Sequence, residues 1–312
     1  MESQKRILIT GGAGYIGSQL VKKALQNGLF VHVLDYINPN ELSFDFLNHP
    51  KLIYFTGSLT DDQILKKCTE NVDYIVHLAG VSDGKAGKLD PEKTRKINID
   101  TLDNLLSISK NAGVKRFIFA STMGVYGNQY KIPLTENMIL HPIDPYSESK
   151  AVGEDIVRNA NTSSFSTVCL RMAMIYGISP NMRFDFILNR LTIDALQKKQ
   201  LTVMGGTQKR PQIHIDDLCE LFLHFFKIEE SLFANQCYNV VGENPSVNNM
   251  IDEIQKQINN IVIQKLQLRE NEDSFEMDGS KLFTQTNYHY QRNIKIGIRE
   301  IIETYLPKNM KI

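Results

Sequence analysis

The chain has 312 residues, and its 35 Lys and Arg balance its 35 Asp and Glu, so the formal net charge is zero. This balance excludes the strongly basic surface that is typical of nucleic-acid binding, and it offers no attraction to anionic lipid. No run approaches the roughly 18 consecutive apolar residues of a membrane span, and the N-terminus lacks the apolar stretch of a signal peptide. The four cysteines are widely spaced without a CxxC pair, which predicts no metal site, no disulfide framework and a cytoplasmic location.

Short apolar runs alternate with helical patterns through the first two thirds of the chain. The predicted strands are 7–9, 31–34, 52–55, 74–78, 117–120 and 167–170. Near-continuous apolar runs of this length are typical of strands that are buried on both faces. The predicted helices are 16–26, 98–111, 145–160, 185–198 and 214–228. The alternation predicts an α/β fold with a doubly wound parallel sheet.

A glycine-rich turn follows the first predicted strand and opens the first predicted helix. Gly11, Gly14 and Gly17 are spaced three apart in the sequence TGGAGYIG, and Tyr15 and Ile16 lie between the last two. Glycine lets backbone amides approach a pyrophosphate, and the helix N-terminus supplies the positive end of a dipole. Because a strand and a helix flank the turn, we interpret it as a dinucleotide-binding turn rather than as a tight turn without ligand.

Asp35 ends the second predicted strand, about 20 residues further on, where dinucleotide-binding folds place an acidic residue. A carboxylate at this position bonds the ribose hydroxyls of NAD and repels a 2′-phosphate. No Arg or Lys follows Asp35 directly. The sequence therefore predicts NAD rather than NADP, with the alternative that Asp35 only caps the next turn.

Tyr146 and Lys150 stand four residues apart at the start of a predicted helix, so they share one helix face. A Lys ammonium beside a Tyr phenol favours the phenolate, which can then act as a general base near neutral pH. Ser121 and Thr122 follow the fifth predicted strand, at the sheet edge where such folds bind ligands. Either hydroxyl can bond a substrate oxygen, or both can cap the backbone of the turn.

Taken together, these motifs resemble those of the extended short-chain dehydrogenases/reductases, in the NAD-dependent epimerase/dehydratase group. The matching segments are TGGAGYIGS at 10–18, HLAG at 77–80, STMGVYG at 121–127, PYSESK at 145–150, LRMAMIYG at 170–177, RPQIHIDDL at 210–218 and YNVVGENPSVNNM at 238–250. The resemblance implies a Rossmann domain that holds NAD, over 1–177 with parts of 205–245 returning to it. It also implies a smaller α/β domain over 178–312 that binds a nucleoside-diphosphate sugar, and it implies a homodimer formed through the helices that begin near Asn98 and Tyr146.

The resemblance also assigns roles to single residues. It implies that Thr122, Tyr146 and Lys150 are catalytic. The expected NAD-binding residues are Gly11, Gly14, Tyr15, Ile16, Gly17, Asp35, Ser58, Leu59, Leu78, Ala79, Gly80, Asn98, Ser121, Tyr146 and Lys150. The expected substrate-binding residues are Ser82, Thr122, Met123, Met174, Arg183, Arg210 and Arg269.

Four positions depart from the pattern of the family. The 4,6-dehydratase branch has an Asp-Glu pair after the catalytic Thr, whereas this chain has Met123 and Gly124, which argues against elimination of water. Many epimerases have Asn where this chain has Met174, so one substrate contact is altered. Ser58 stands where an Asp usually contacts the adenine side of the cofactor.

Two segments allow more than one interpretation. Arg183, in the segment 180–185, can bond a phosphate in bidentate fashion or pair with Asp185 at the start of a helix. The segment 82–89 is a mobile loop over the sugar or a plain connector.

Three functions are compatible with these residues. The leading hypothesis is a nucleotide-sugar epimerase that acts at sugar C4 through a transient 4-keto intermediate, with Tyr146 as the general base. The second hypothesis is an NAD(P)H-dependent reductase of nucleotide-4-keto-sugars, which needs the same catalytic residues. The third is an NAD-binding sensor or scaffold without turnover, which the complete set of Thr122, Tyr146 and Lys150 disfavours.

Overall fold

Parallel strands form the central sheet in the computed structural model of the chain, which describes residues 5–82, 84–129, 132–266 and 274–306. The sheet strands are β1 (Arg6–Thr10), β2 (Phe30–Asp35), β3 (Leu52–Thr56), β4 (Tyr74–His77), β5 (Arg116–Thr122), β6 (Ser166–Met172) and β10 (Gln236–Val240). Their order across the sheet is β3-β2-β1-β4-β5-β6-β10, and every neighbouring pair is parallel. The predicted α/β class with a doubly wound parallel sheet is therefore confirmed.

The strand order reverses between β1 and β4, because the chain first builds outward to β3 and then returns to build outward on the other side. Ligands of such sheets bind in the crevice beyond the carboxyl ends of the strands at this reversal. Thr10 ends β1, His77 ends β4 and Thr122 ends β5. The reversal thus brings the glycine-rich turn, the loop after β4 and the residues after β5 to one edge of the sheet.

Helices cover both faces of the sheet and continue into the C-terminal third. They are α1 (Tyr15–Gln26), α2 (Asp62–Thr69), α3 (Gly84–Leu89), α4 (Pro91–Arg95), α5 (Thr101–Asn111), α6 (Pro145–Asn159), α7 (Ile187–Lys198), α8 (Ile215–His224), α9 (Val247–Gln255), α10 (Ser280–Thr286) and α11 (Ile294–Tyr305). The first residues of the predicted helix 98–111 belong to a π-helical turn over Lys96–Asp100, so α5 begins at Thr101, and the predicted helix 214–228 ends at His224. Among the described residues, none of these helices is both long and apolar enough to span a bilayer.

Alternating side chains of the strands pack into two apolar clusters, one on each face of the sheet. Ile7 and Ile9 of β1 point into the cluster beneath α1 and α8, whereas Leu8 points into the cluster beneath α2, α5 and α6. All three are fully buried, and burial of one such side chain contributes about 1.5–3 kcal/mol to folding. The two clusters fix the sheet between its helices, and the sheet in turn fixes the ligand-binding edge.

A third apolar cluster lies in the C-terminal part and is formed mainly by α7, α9 and α11 with strand β8 (Gln200–Met204). Strand β8 pairs in parallel with β11 (Val262–Leu266), and β7 (Met174–Tyr176) pairs in parallel with β9 (Gln212–His214). Met174, the first residue of β7, directly follows the central sheet, so the β7–β9 pair connects this cluster to the ligand-binding edge.

Candidate active site

The glycine-rich turn is built by backbone approaches that exclude larger side chains. A Cβ on Gly17 would lie 2.0 Å from the carbonyl oxygen of Gly11, and Gly11 itself has a φ of +75°. Gly14 caps α1 without a side chain that could bond the amides of the first turn. These amides have no partner within the helix. The start of α1 is thus a site where backbone N–H groups can receive a pyrophosphate.

The carboxylate of Asp35 lies against this turn. One oxygen accepts a hydrogen bond from the amide of Ala13 at 2.9 Å, and the other accepts from the amide of Ile37 at 3.1 Å. Asp35 is buried at the end of β2. Asp35 therefore caps the next turn and also lies beside the dinucleotide turn, and its contact with the ribose of NAD stays a prediction.

The loop after β4 runs over the turn and is braced from two sides. The amide of Ala79 donates to Thr10 Oγ1 at 3.3 Å. Asn98 holds the backbone of Val81 by accepting from its amide at 2.8 Å and donating to its carbonyl at 3.1 Å, and it also donates to Ser149 of α6. Leu78, Ala79 and Gly80 are partly exposed along this loop. Asn98 therefore shapes the loop that carries the predicted cofactor contacts.

Two further predicted cofactor residues, Ser58 and Leu59, follow β3 at the edge of the sheet. Ser58 is exposed and bonds the hydroxyl of Thr60 at 2.9 Å, whereas Leu59 is buried. Ser58 therefore gives this corner a short neutral side chain.

Tyr146 and Lys150 lie on the first two turns of α6, as their spacing predicts. The helix begins at Pro145 because Asp144 accepts hydrogen bonds from the amide and the hydroxyl of Ser147, at 2.9 and 2.7 Å. Lys150 is 5% exposed, and its Nζ lies 4.7 Å from the ring centroid of Phe119 in β5. Burial lowers the pKa of Lys150 to about 8. The amino group of Lys150 is therefore shielded from solvent, one helical turn after the partly exposed Tyr146.

At the end of β5, some side chains face the crevice and others are buried in the core. Thr122 is partly exposed, and its hydroxyl accepts from the amide of Gly124 at 3.2 Å. Met123 follows it and is also partly exposed. The neighbouring Ser121 is fully buried, and its hydroxyl donates to Glu154 of α6. Successive strand residues point to opposite faces, which explains why only one of the two hydroxyls faces the crevice.

His77, at the end of β4, is a neutral neighbour of the site. Its Nδ1 is 2.8 Å from Thr10 Oγ1, and the ring is buried. Burial, with a contribution from the charge of Lys150, lowers the pKa of His77 to about 3. His77 stays uncharged at neutral pH and does not compete with the Tyr146–Lys150 pair for a proton.

A groove of about 440 Å³ lies between α7 and β8. Its lining includes Arg190, Arg210, Gln208, Thr202 and Met204. Arg210 was predicted from the sequence, and its guanidinium also lies 5.6 Å from the ring of Phe275. A second groove of about 500 Å³, lined by parts of α1, α8 and α11, contains none of the predicted site residues. The first groove is the stronger candidate for the substrate because it presents two guanidinium groups.

The other predicted substrate residues have different surroundings. Arg183 forms a bidentate pair with Asp185, with distances of 2.7 and 2.6 Å, which is the second of the two interpretations from the sequence. Met174 is partly exposed at the start of β7, and Ser82 is exposed after β4. Helix α3 occupies Gly84–Leu89 of the segment 82–89, and both interpretations of this segment, a mobile loop over the sugar and a plain connector, stay predictions. Arg269 lies outside the described residues.

Comparison with known proteins establishes the family to which the chain belongs. The profile of the NAD-dependent epimerase/dehydratase family matches residues 7–241. The chain belongs to this family. It is an NAD-dependent enzyme, as the sequence predicts.

Relatives in the family carry out more than one reaction. The chain is 31% identical to the UDP-glucose 4-epimerase of Bacillus subtilis over 240 residues, which cover 69% of this chain and 70% of that protein. It is 30% identical to the dTDP-D-glucose 4,6-dehydratase of Dictyostelium discoideum over 280 residues, which cover 83% of this chain and 62% of that protein. Among solved structures, it resembles the UDP-glucuronic acid 4-epimerase of Bacillus cereus in complex with UDP-glucuronic acid and NAD. The TM-score is 0.81 at 25% identity, over 96% of this chain and all of that one.

The residues of this epimerase/dehydratase-family chain fit NAD at the crevice. The uncapped start of α1 suits the pyrophosphate, and the carboxylate of Asp35 suits a ribose diol. Sequence reasoning missed Arg190 and Gln208, which the fold brings to the groove, and Glu154, which follows the predicted catalytic pair on α6. For Glu154 a signal was present, since it continues the spacing of Tyr146 and Lys150 by four further residues.

The role of Asp35 in choosing the cofactor leads to a first prediction. We expect Asp35→Ser to weaken NAD binding and to bring NADP binding closer to it, because the change removes both an acceptor and the charge that repels a 2′-phosphate. The ratio of the two affinities should fall about 10- to 100-fold, which corresponds to one or two hydrogen bonds to a charged group. Calorimetric titration of the apoprotein with each nucleotide measures the ratio. Asp45→Asn, a change at an exposed carboxylate, is the control, and an unchanged ratio in Asp35→Ser would contradict the assignment.

Proposed function

We propose that the protein epimerises a nucleoside-diphosphate sugar at C4 of the sugar, through a transient 4-keto intermediate. The observation that carries this proposal is the buried Lys150 one helical turn behind Tyr146, at the crevice that contains the dinucleotide turn. A buried ammonium favours the phenolate of Tyr146, which can take the proton of a sugar hydroxyl. NAD, when bound, supplies the oxidant for this carbon and returns the same electrons.

The residues beside Tyr146 favour epimerisation over elimination. Thr122 can bond the same sugar oxygen, and it donates or accepts without changing its own charge. Met123 and Gly124 follow it, so no carboxylate stands at the two positions that dehydratases use for acid–base removal of water. Without elimination of water, the 4-keto sugar keeps all its other substituents. Reduction of its C4 carbonyl from the opposite face of the sugar ring then yields the C4 epimer.

The groove between α7 and β8 supports a substrate that carries a diphosphate. Arg190 and Arg210 both line it, and guanidinium groups bind phosphates in bidentate fashion. Its volume of about 440 Å³ is within the range of small-ligand sites. The separate apolar cluster of α7, α9 and α11 supports the division into a cofactor domain over 1–177, with parts of 205–245 returning to it, and a substrate domain over 178–312.

Met174 favours reduction of a nucleotide-4-keto-sugar as the second candidate. It offers a thioether where many epimerases offer an amide to the substrate, so one contact to the sugar is altered, which suits a less usual substrate. The reductase would use the same Tyr146 and Lys150, but it would consume NADH. A sensor or scaffold without turnover has no comparable support, because the acid–base residues are complete.

A panel of substrates separates these candidates. Purified protein that has been loaded with NAD and freed of excess cofactor is mixed with UDP-, GDP-, CDP- and dTDP-sugars, and the products are separated by chromatography that resolves epimers. We expect a new epimer from one class of sugar nucleotide and none from the Tyr146→Phe variant. Consumption of NADH with 4-keto sugars, and no epimer from any sugar nucleotide, would instead establish the reductase.

We further propose that the protein is a homodimer in which the outer faces of α5 and α6 pack against a second copy. Val152 supports this, because it is an apolar residue with 38% exposure on the outer face of α6. A twofold axis through this face would bring the helices of both copies together. Light scattering should give the mass of a dimer for the protein and a smaller mass for Val152→Glu, and a monomeric mass for the unchanged protein would refute the proposal.

A cytoplasmic location is the remaining part of the proposal. All four cysteines are free thiols, and three of them are buried. Free thiols in this number are typical of a reducing compartment.

A further inference from the structure

A buried carboxylate lies directly behind the catalytic pair and has no role in the chemistry described so far. Glu154 is on α6, four residues after Lys150 and eight after Tyr146, so the three side chains follow one face of the helix. It is 2% exposed. A charge in such a place is costly unless it is fully paired, so its partners define its role.

The partners of Glu154 come from three neighbouring strands, since Cys237 of β10 also donates its thiol to one carboxylate oxygen at 3.6 Å. Arg171 of β6 donates from Nε to both carboxylate oxygens, at 3.0 and 3.1 Å, and from a terminal nitrogen at 2.7 Å. Ser121 of β5 donates its hydroxyl to the same carboxylate. Ser121 directly precedes Thr122, so Glu154 joins the helix of Tyr146 and Lys150 to the strand end that carries the third catalytic residue.

The groups around Lys150 leave Glu154 as its source of negative charge. Phe119 of β5 offers a ring face, His77 of β4 is neutral because burial lowers its pKa to about 3, and burial keeps the pKa of the Cys169 thiol in β6 well above its usual range. Burial lowers the pKa of Lys150, and negative charge on Cys169 or on Glu154 opposes that shift. The raised pKa of Cys169 keeps it a neutral thiol at neutral pH, so it carries no negative charge there. Among the described groups that act on Lys150, Glu154 is therefore the anion that favours the ammonium at neutral pH.

We propose that Glu154 is a positioning residue for the acid–base pair. Its carboxylate fixes the strand end of Thr122 relative to α6, and its charge keeps Lys150 protonated so that Tyr146 can be the group that ionises. The inference rests on the proposed function only in taking Tyr146 as the base. A purely structural ion pair would hold the helix on the sheet without affecting which of the two catalytic groups loses its proton.

The test follows the phenolate of Tyr146 directly, without substrate. The near-ultraviolet absorbance of phenolate is titrated in the NAD-loaded protein, and the same titration of Tyr146→Phe is subtracted. In Glu154→Gln the neutral form of Lys150 becomes more favourable, so the first proton leaves Lys150 and the phenolate appears at higher pH. We expect a shift of about half a unit or more, with no shift in Asp155→Asn, which removes an exposed charge from the next position of α6.

Two further measurements keep the inference falsifiable. Glu154→Gln leaves Arg171 buried without its carboxylate, so Glu154→Gln/Arg171→Gln is titrated as well, and the shift should persist there. An unchanged midpoint in both variants, or a return to the original midpoint in the double variant, would overturn the proposal, because the pair would then act as a neutral structural unit. Failure of the unchanged protein to turn over any nucleotide sugar would refute the proposed function, whereas the phenolate titration would still decide the role of Glu154.

Discussion

Replacement of Tyr146 by Phe is expected to reduce turnover by about 10²- to 10⁴-fold, the contribution of a positioned general base. The change removes one oxygen from the start of α6 and leaves Lys150 buried behind it. Binding of NAD should remain, because the dinucleotide turn and Asp35 are untouched. Turnover is measured on the sugar nucleotide found in the panel, and NAD affinity is measured by calorimetry.

The matched control for this change is Tyr305→Phe, which removes a phenol oxygen from the last turn of α11. We expect this control to keep its turnover. If Tyr146→Phe retained the rate of the unchanged protein, a different residue would have to accept the sugar proton, and the roles assigned to Tyr146 and Lys150 would be wrong.

Replacement of Gly17 by Ala is expected to abolish tight NAD binding and to destabilise the fold. The added Cβ would lie 2.0 Å from the carbonyl oxygen of Gly11, a backbone atom that cannot rotate away. Helix α1 must then move from the turn, which separates the amides that receive the pyrophosphate. Overpacking of this kind costs about 1–3 kcal/mol of the free energy of unfolding. Denaturant unfolding and NAD titration measure the two effects.

Gly14→Ala provides a graded comparison within the same turn. Its Cβ would lie 3.3 Å from the same carbonyl oxygen, so a small movement suffices. We expect a smaller loss of stability and of NAD affinity than for Gly17→Ala. Normal NAD binding by Gly17→Ala would show that the cofactor does not depend on close packing of α1 against the turn.

Much of the fold could be predicted because most strands of the central sheet are buried on both faces, the edge strand β3 being the exception. The six predicted strands all lie in the central sheet, since their apolar runs are nearly continuous. The seventh strand, β10, was missed because Gln236 and Asn239 interrupt its apolar run. Asn239 is nevertheless fully buried, since its amide donates to the carbonyls of Leu134 and Asp278. Such long-range partners cannot be deduced from local spacing.

The candidate site also contains residues that local sequence predicts and residues that only the folded chain brings together. The turn, Asp35 and the Tyr146–Lys150 pair follow from local sequence, because each depends on spacing within one strand–turn–helix unit. The groove of Arg190 and Arg210 does not, because α7, β8 and the segment before β9 meet only in the folded chain. Ser121 illustrates the same limit, since its buried partner Glu154 is 33 residues away.

The most direct test of the account follows the hydrogen at C4 of the sugar. The NAD-loaded protein, freed of excess cofactor, is incubated with the active sugar nucleotide carrying deuterium at C4, and the epimer is analysed by mass spectrometry and NMR. The account predicts that the epimer keeps its deuterium at C4 and forms without added NADH, because the same electrons leave and return. Loss of the deuterium to solvent, or a requirement for NADH, would contradict it.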